Sequence, residues 1–175
     1  MTTITFQHSI HAAHHHWSWD RNLEPVLRVD PGATVRIELN DPGGGQIHAA
    51  SMAGDLLHLD FSRVNPVTGP LFVNGAESGD TISLEIVDIE PCGWGWSALI
   101  PGFGLLADEF REPYLVHWNY DKSGSMPAVL HDAGRVPLNP MVGAIGLAPA
   151  APGPHDILPP RRVGGTMDIR DITRG

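Results

Sequence analysis

GATVRIELND, residues Gly32–Asp41, is the stretch whose reading decides the fold class. Within it Val35, Ile37 and Leu39 alternate with Arg36, Glu38 and Asn40. A side-chain period of two is that of a β-strand with one face in a core and the other in water. The preceding PVLRV, residues Pro25–Val29, reads as a second strand, and Pro31-Gly32 reads as the turn that pairs the two. Proline fixes φ at such a turn and glycine supplies positive φ. The pattern returns 47 residues later as GDTISLEIVD, Gly79–Asp88, with Gly, Thr, a β-branched residue, Glu and Asp in register. Two copies do not make a solenoid, but they predict two strands with like turn chemistry, as in a β-sandwich or jelly roll.

Working outward, Thr2–Ile10 predicts a short strand with Ile4 and Phe6 on one face. HAAHHHWSWDRNLEP after it has no helical period and predicts a loop. GPLFVNGA predicts a strand ending in an Asn-Gly turn. PCGWGWSALIPGFGLLADEF is too rich in glycine and aromatics for a long helix, and PYLVHWNYD predicts a further strand. The apolar run PMVGAIGLAPA and the closing GGTMDIRDITRG each need a partner to cover them. The expected class is therefore all-β, β-sandwich or jelly-roll-like, with short helical turns and long Gly/Pro-rich loops. The expected organisation is a β-sandwich-type domain over residues 1–130. Residues 131–175 then form a linker and strands leading to a second half absent from this chain.

Composition agrees. With 175 residues, 42% of them hydrophobic, the chain can bury a core, and its 20 Gly and 16 Pro suit many short strands joined by turns. A formal charge of −9, from 11 basic and 20 acidic residues, would repel a phosphate backbone, so nucleic acid is not an expected partner. There is no apolar run of membrane-spanning length and no signal-like start, so the expected location is the cytoplasm, with no membrane. Cys92, the single cysteine, excludes an internal disulfide framework and a multi-thiolate zinc site.

These motifs resemble those of the acetamidase/formamidase family. HHHWSWDRNLEPVLRVDPG, from His14 to Gly32, is similar to that family's opening histidine–aromatic loop and its P-V-x-x-V-x-P-G strand turn. Asp60–Glu90, DFSRVNPVTGPLFVNGAESGDTISLEIVDIE, resembles its longest signature nearly residue for residue. GWGWSALIPGFGLLADEF, PMVGAIGLAPA and GGTMDI resemble three later blocks. The resemblance implies a β-sandwich-type fold and hydrolysis of short aliphatic amides, such as formamide or acetamide, to ammonia and an acid. It also implies that the chain lacks a second half. Members are typically close to twice as long, and the remainder carries a D-A-H-x-x-x-G-D-G-E block missing here. Asn139 departs from the family, where a histidine often precedes that Pro-Met.

Amide hydrolysis needs an activated water or nucleophile, a group polarising the carbonyl and an acid for the leaving amine. His14 and His16 are two apart, as are His58 and Asp60, so each pair could share one side of an extended segment. Nitrogen and oxygen donors of this kind suit a divalent metal, zinc foremost. The candidate ligands are His14, His16 and Asp60, with His58 weaker. Asp60, Glu24 and Asp108 are the candidate catalytic carboxylates. Asp20 shares the loop of Glu24, and Glu109 adjoins Asp108. Asn65, Thr68 and Gly69, in NPVTGP, and Trp94, in GWGW, are the candidate substrate-binding residues. Each has a plainer reading as a solvated loop, a rigid turn or core.

Covalent amidase chemistry has less support. Lys122, the only lysine, lies in no Gly-Ser-rich segment of the serine–serine–lysine kind, and no basic neighbour in sequence adjoins Cys92. A cupredoxin-like carrier is a further alternative, weakened by the gap between Cys92 and His117. A non-catalytic binding or assembly module is another. Expected partners are a small amide, the missing half or a second chain, and further copies in a homo-oligomer.

Overall fold

The computed structural model describes residues 5–175, so Thr2–Ile4 of the expected first strand lie outside the described residues. The chain is all-β with short helical turns. In chain order the strands are β1 (His8–Ile10), β2 (His15–His16), β3 (Ser18–Trp19), β4 (Leu27–Val29), β5 (Val35–Ile37), β6 (Val67–Thr68) and β7 (Leu71–Val73). They continue with β8 (Trp94–Leu99), β9 (Tyr114–Asn119), β10 (Ala128–Leu130), β11 (Gly134–Val136), β12 (Ala144–Gly146), β13 (His155–Asp156) and β14 (Gly164–Thr166). Two 3-10 turns, Ala53–His58 and Phe61–Arg63, are the helical elements among the described residues. The strands pair two by two, and long Gly/Pro-rich loops join the pairs.

Two compact units are each assembled from three stretches. The first comprises Met1–Gly44, Ser62–Leu84 and Gly143–Asp168. In it β1 runs parallel to β5, setting His8 opposite Val35 and Ile10 opposite Ile37, and β4 runs parallel to β7. The antiparallel pairs are β2 with β6, β3 with β13, and β12 with β14. Its buried side chains are Ile10, Trp19, Val29 and Ile157. The second unit comprises Gly45–Phe61, Glu85–Val142 and Ile169–Gly175. Its backbone is the antiparallel β8–β9 ladder, Trp94 opposite Asn119 through Leu99 opposite Tyr114, with the smaller β10–β11 hairpin beside it in sequence. Ile47, Leu56 and Ala128 are buried there together with Ser51.

The alternation at Gly32–Asp41 does form a strand, but β4 and β5 do not pair with each other. Ala33 N donates to Asp30 O at 3.2 Å across a turn whose third residue, Gly32, has φ 86°. That is the sense of a type II turn, which splays the flanking strands instead of matching their twist. Each strand therefore takes a parallel partner from elsewhere in the chain.

The second copy, Gly79–Asp88, is a correction to the expectation: no strand forms there. Ile82, Leu84 and Val87 remain exposed. Among the described residues its one backbone bond beyond a local turn is Gly175 N to Ile86 O, 3.1 Å. Alternation makes a strand possible, but a ladder partner makes it real. Other expectations hold. Leu71–Val73 ends in a turn at Asn74-Gly75, and Tyr114–Asn119 is a full strand. The apolar run near Met141 and the closing GGTM segment partly cover each other through β12 and β14.

Candidate functional site

In the first unit, the histidine loop is fixed by the β2–β6 ladder. His15 lies opposite Thr68 and His16 opposite Val67, and Gly69 N donates to His14 O at 2.9 Å. His14, His16, Thr68 and Gly69, far apart in sequence, are thereby brought together. Thr68 Oγ1 is engaged as a donor to Glu38 O at 2.8 Å. His15 Nδ1 contacts Ala12 O at 2.7 Å, which makes that nitrogen the protonated one. Asn65 sits at φ 51° with its amide on Pro42 O, so it shapes the turn leading into β6. Glu24 is exposed, and the Asp20 side chain caps the turn before it by accepting from Asn22 N at 2.9 Å.

His16 differs from its neighbours. Burial lowers its pKa, the nearby His15 adds to the effect, and a Ser18 backbone contact opposes it. The ring is therefore held neutral, and its Nδ1 is buried with no partner at hydrogen-bonding geometry. Trp19 stands edge-on to it, ring centroids 6.1 Å apart, and its Nε1 is likewise buried and unpartnered. His14 is exposed.

In the second unit, Asp60 is held through its backbone. Its N–H donates to Gln46 Oε1 at 2.8 Å and its carbonyl accepts from Gln46 Nε2 at 3.1 Å. Asp60 as a whole residue is exposed. A cavity of about 390 Å³ lies alongside, lined by Gln46, His48, Ser51, Asp55, His58 and Leu59. Ile47 and Leu56, each 2% exposed, anchor its two walls, so their sequence neighbours Gln46, His48 and Asp55 are left for the cavity side. Trp94 is on β8 with its ring stacked on His117 at 5.9 Å. Asp108 lies in an exposed turn where its carbonyl accepts from Arg111 Nε at 2.9 Å. Among the described residues, no three His, Cys, Asp or Glu side chains converge as a metal-holding group.

Sequence reasoning passed over His48, Ser51, Asp55 and His117. No short motif marks them. The available signal was local: a buried apolar residue between two polar ones in Gln46-Ile47-His48.

The sequence pattern of the acetamidase/formamidase family matches residues 3–157. The chain belongs to that family. Among its relatives, a formamidase of Methylophilus methylotrophus is 27% identical, the match covering 91% of this chain and 52% of that protein. An acetamidase of Mycolicibacterium smegmatis is 28% identical, with 91% and 54% covered. The crystal structure of an acetamidase from Bacillus halodurans superposes with a TM-score of 0.87 at 33% identity, over 95% of this chain and 55% of that one. This acetamidase/formamidase family chain thus spans about half the length of the relatives it matches. The β2–β6 ladder and the loop that holds Asp60 both lie within the matched residues.

Proposed function

We propose that this chain takes part in the hydrolysis of short aliphatic amides, formamide or acetamide in kind, to ammonia and a carboxylic acid. The observation that carries the reading is the family match across residues 3–157. Water's oxygen adds to the carbonyl carbon, the C–N bond breaks, and the nitrogen leaves as ammonia after taking a proton. Asp60, with Glu24 and Asp108 as further carboxylates, is the group proposed to take and return that proton. Asn65, Thr68, Gly69 and Trp94 are the proposed substrate contacts.

His14 and His16 are the proposed nitrogen donors to a divalent ion, zinc foremost. The neutral ring of His16, with a buried and unpartnered Nδ1, is the donor chemistry such an ion takes. When bound, the ion would supply Lewis acidity toward the carbonyl and a lower pKa for water. Activity is proposed to require the polypeptide that corresponds to the relatives' second half, on this chain or another. A homo-oligomer in the cytoplasm is part of the same reading.

The test is ammonia release from formamide and acetamide, with and without a chelator. It is run for this chain alone and with the second half of a family relative added. No release in either preparation would sink the hydrolase reading, and release that ignores the chelator would sink the metal. Asp60→Ala should abolish turnover while the circular dichroism of the β-fold is kept.

A further inference from the structure

We infer that Glu38 and Asn40 are positioning residues that hold the histidine loop against β6, an inference that rests on the reading of His14 and His16 as nitrogen donors. Both lie just past β5 in the alternating stretch Gly32–Asp41, two residues apart, on the face that alternation assigns to water. The structure gives that face a second task. Glu38 Oε2 accepts from Ala12 N at 3.3 Å and lies 3.3 Å from His11 Nε2. His11 Nδ1 accepts from Ala13 N at 3.1 Å, so the neutral ring carries its proton on Nε2, facing Glu38. Asn40 Nδ2 donates to Ala12 O at 2.9 Å. Two side chains thus grip the N–H and the C=O of one residue, Ala12.

The gripped residue leads directly into the candidate donors. Ala12 O also accepts from His15 Nδ1 at 2.7 Å, and His14 N donates to His11 O at 2.9 Å. His15 and His16 then pair with Thr68 and Val67, and Gly69 N donates to His14 O at 2.9 Å. The Glu38 backbone ties the same group from two more sides. Its N–H donates to Ile10 O at 3.0 Å, and its carbonyl accepts from Thr68 Oγ1 at 2.8 Å. One residue therefore joins β1, the histidine loop and β6. An exposed His–Glu pair alone contributes little. Here the carboxylate also satisfies a backbone N–H, and the loop has no other anchor of comparable kind. Between Ile10 and Trp19, both buried, every residue is exposed or half-buried. Hydrogen bonds rather than core packing set the place of the loop.

The experiment compares Glu38→Ala, Asn40→Ala and Glu38→Gln in this chain by NMR, with a zinc titration followed on the His14 and His16 ring resonances. Both alanine variants should speed hydrogen exchange at the His14 and Gly69 amides by about fivefold or more, the effect of one lost hydrogen bond. The amides of the β8–β9 ladder should stay unchanged, which separates a loosened loop from general destabilisation. Glu38→Gln keeps a side-chain acceptor for Ala12 N and should restore most of the protection. Zinc should bind the alanine variants about tenfold more weakly, as expected when a support of the ligands is removed, and Glu38→Gln nearly as well as the wild type. Unchanged exchange in the folded alanine variants overturns the inference, and so does a rise that the β8–β9 ladder shares. Zinc affinity that holds while the loop loosens overturns the role toward the donors. Should Glu38→Ala fail to fold, Asn40→Ala decides on the same readouts. Zinc that leaves the wild-type His14 and His16 rings unmoved sinks the metal reading alone, and the exchange rates then uphold or overturn the anchor.

Discussion

His117 shows how one ring can fix a turn several strands away in sequence. Its Nε2 donates to Ser51 O, its Nδ1 is buried with no partner, and its face lies on Trp94. His117→Phe would keep the stacking, remove the unsatisfied nitrogen and leave the Ser51 carbonyl without its donor. These effects oppose each other, so the expected net loss is about 1 kcal/mol or less, read as a small drop in the urea midpoint. Asp121 provides a test by pH. Hydrogen bonds from the Ser123 hydroxyl first, then that of Ser125, hold its carboxyl at about 2, below the ordinary 3.8. The folded value lies below the unfolded one, so its contribution is present above the ordinary pKa and is lost as pH falls through about 2. An NMR titration should place the Asp121 midpoint there, and Ser123→Ala should move it upward; an unmoved midpoint refutes the assignment. At this scale contiguous motifs singled out His14, His16 and Thr68 as candidates, and the β2–β6 ladder pairs the stretches that carry them. His48 and Ser51 were not singled out, because their meaning comes from a hydrogen-bonded turn that no spacing rule encodes.

Among the elements, the β12–β14 ladder depends on a glycine. Gly164 has φ 103°, and a Cβ there would collide with the Ile145 carbonyl of the facing strand. Gly164→Ala should therefore cost about 1–3 kcal/mol through backbone strain and a displaced strand, measured by chemical denaturation. Gly54, in the Ala53–His58 turn, is the contrast. Nothing lies within 4 Å of a Cβ there and its φ is not positive. Gly54→Ala should stabilise by roughly 0.4–1 kcal/mol, since it restricts the unfolded chain at no native cost. The sequence indicated β5, β7 and β9 by alternation and turn chemistry. It hid β8, since the glycines and aromatics of GWGW carry no clear period. It also overstated Gly79–Asp88, whose alternation matches that of Gly32–Asp41 while its ladder partner is missing among the described residues.

For the whole molecule, a formal charge of −9 sets long-range behaviour without deciding what a neutral ligand does. Adding about 0.5 M NaCl screens charges over a few ångströms, so if the proposed amide hydrolysis holds, kcat/KM for formamide should stay nearly constant. A steep fall would point to a charged substrate. The sequence by itself determined the all-β class, because a side-chain period of two is a local property that survives without knowledge of any partner. It also carried the family, because the matching motifs are long and continuous. Only the tertiary structure decided which strands pair, since a type II turn at Gly32 sends β4 and β5 to separate partners. The same holds for the cavity beside Asp60. Its walls come from residues whose polarity is ordinary in sequence, and burial of Ile47 and Leu56 is what turns them toward one space.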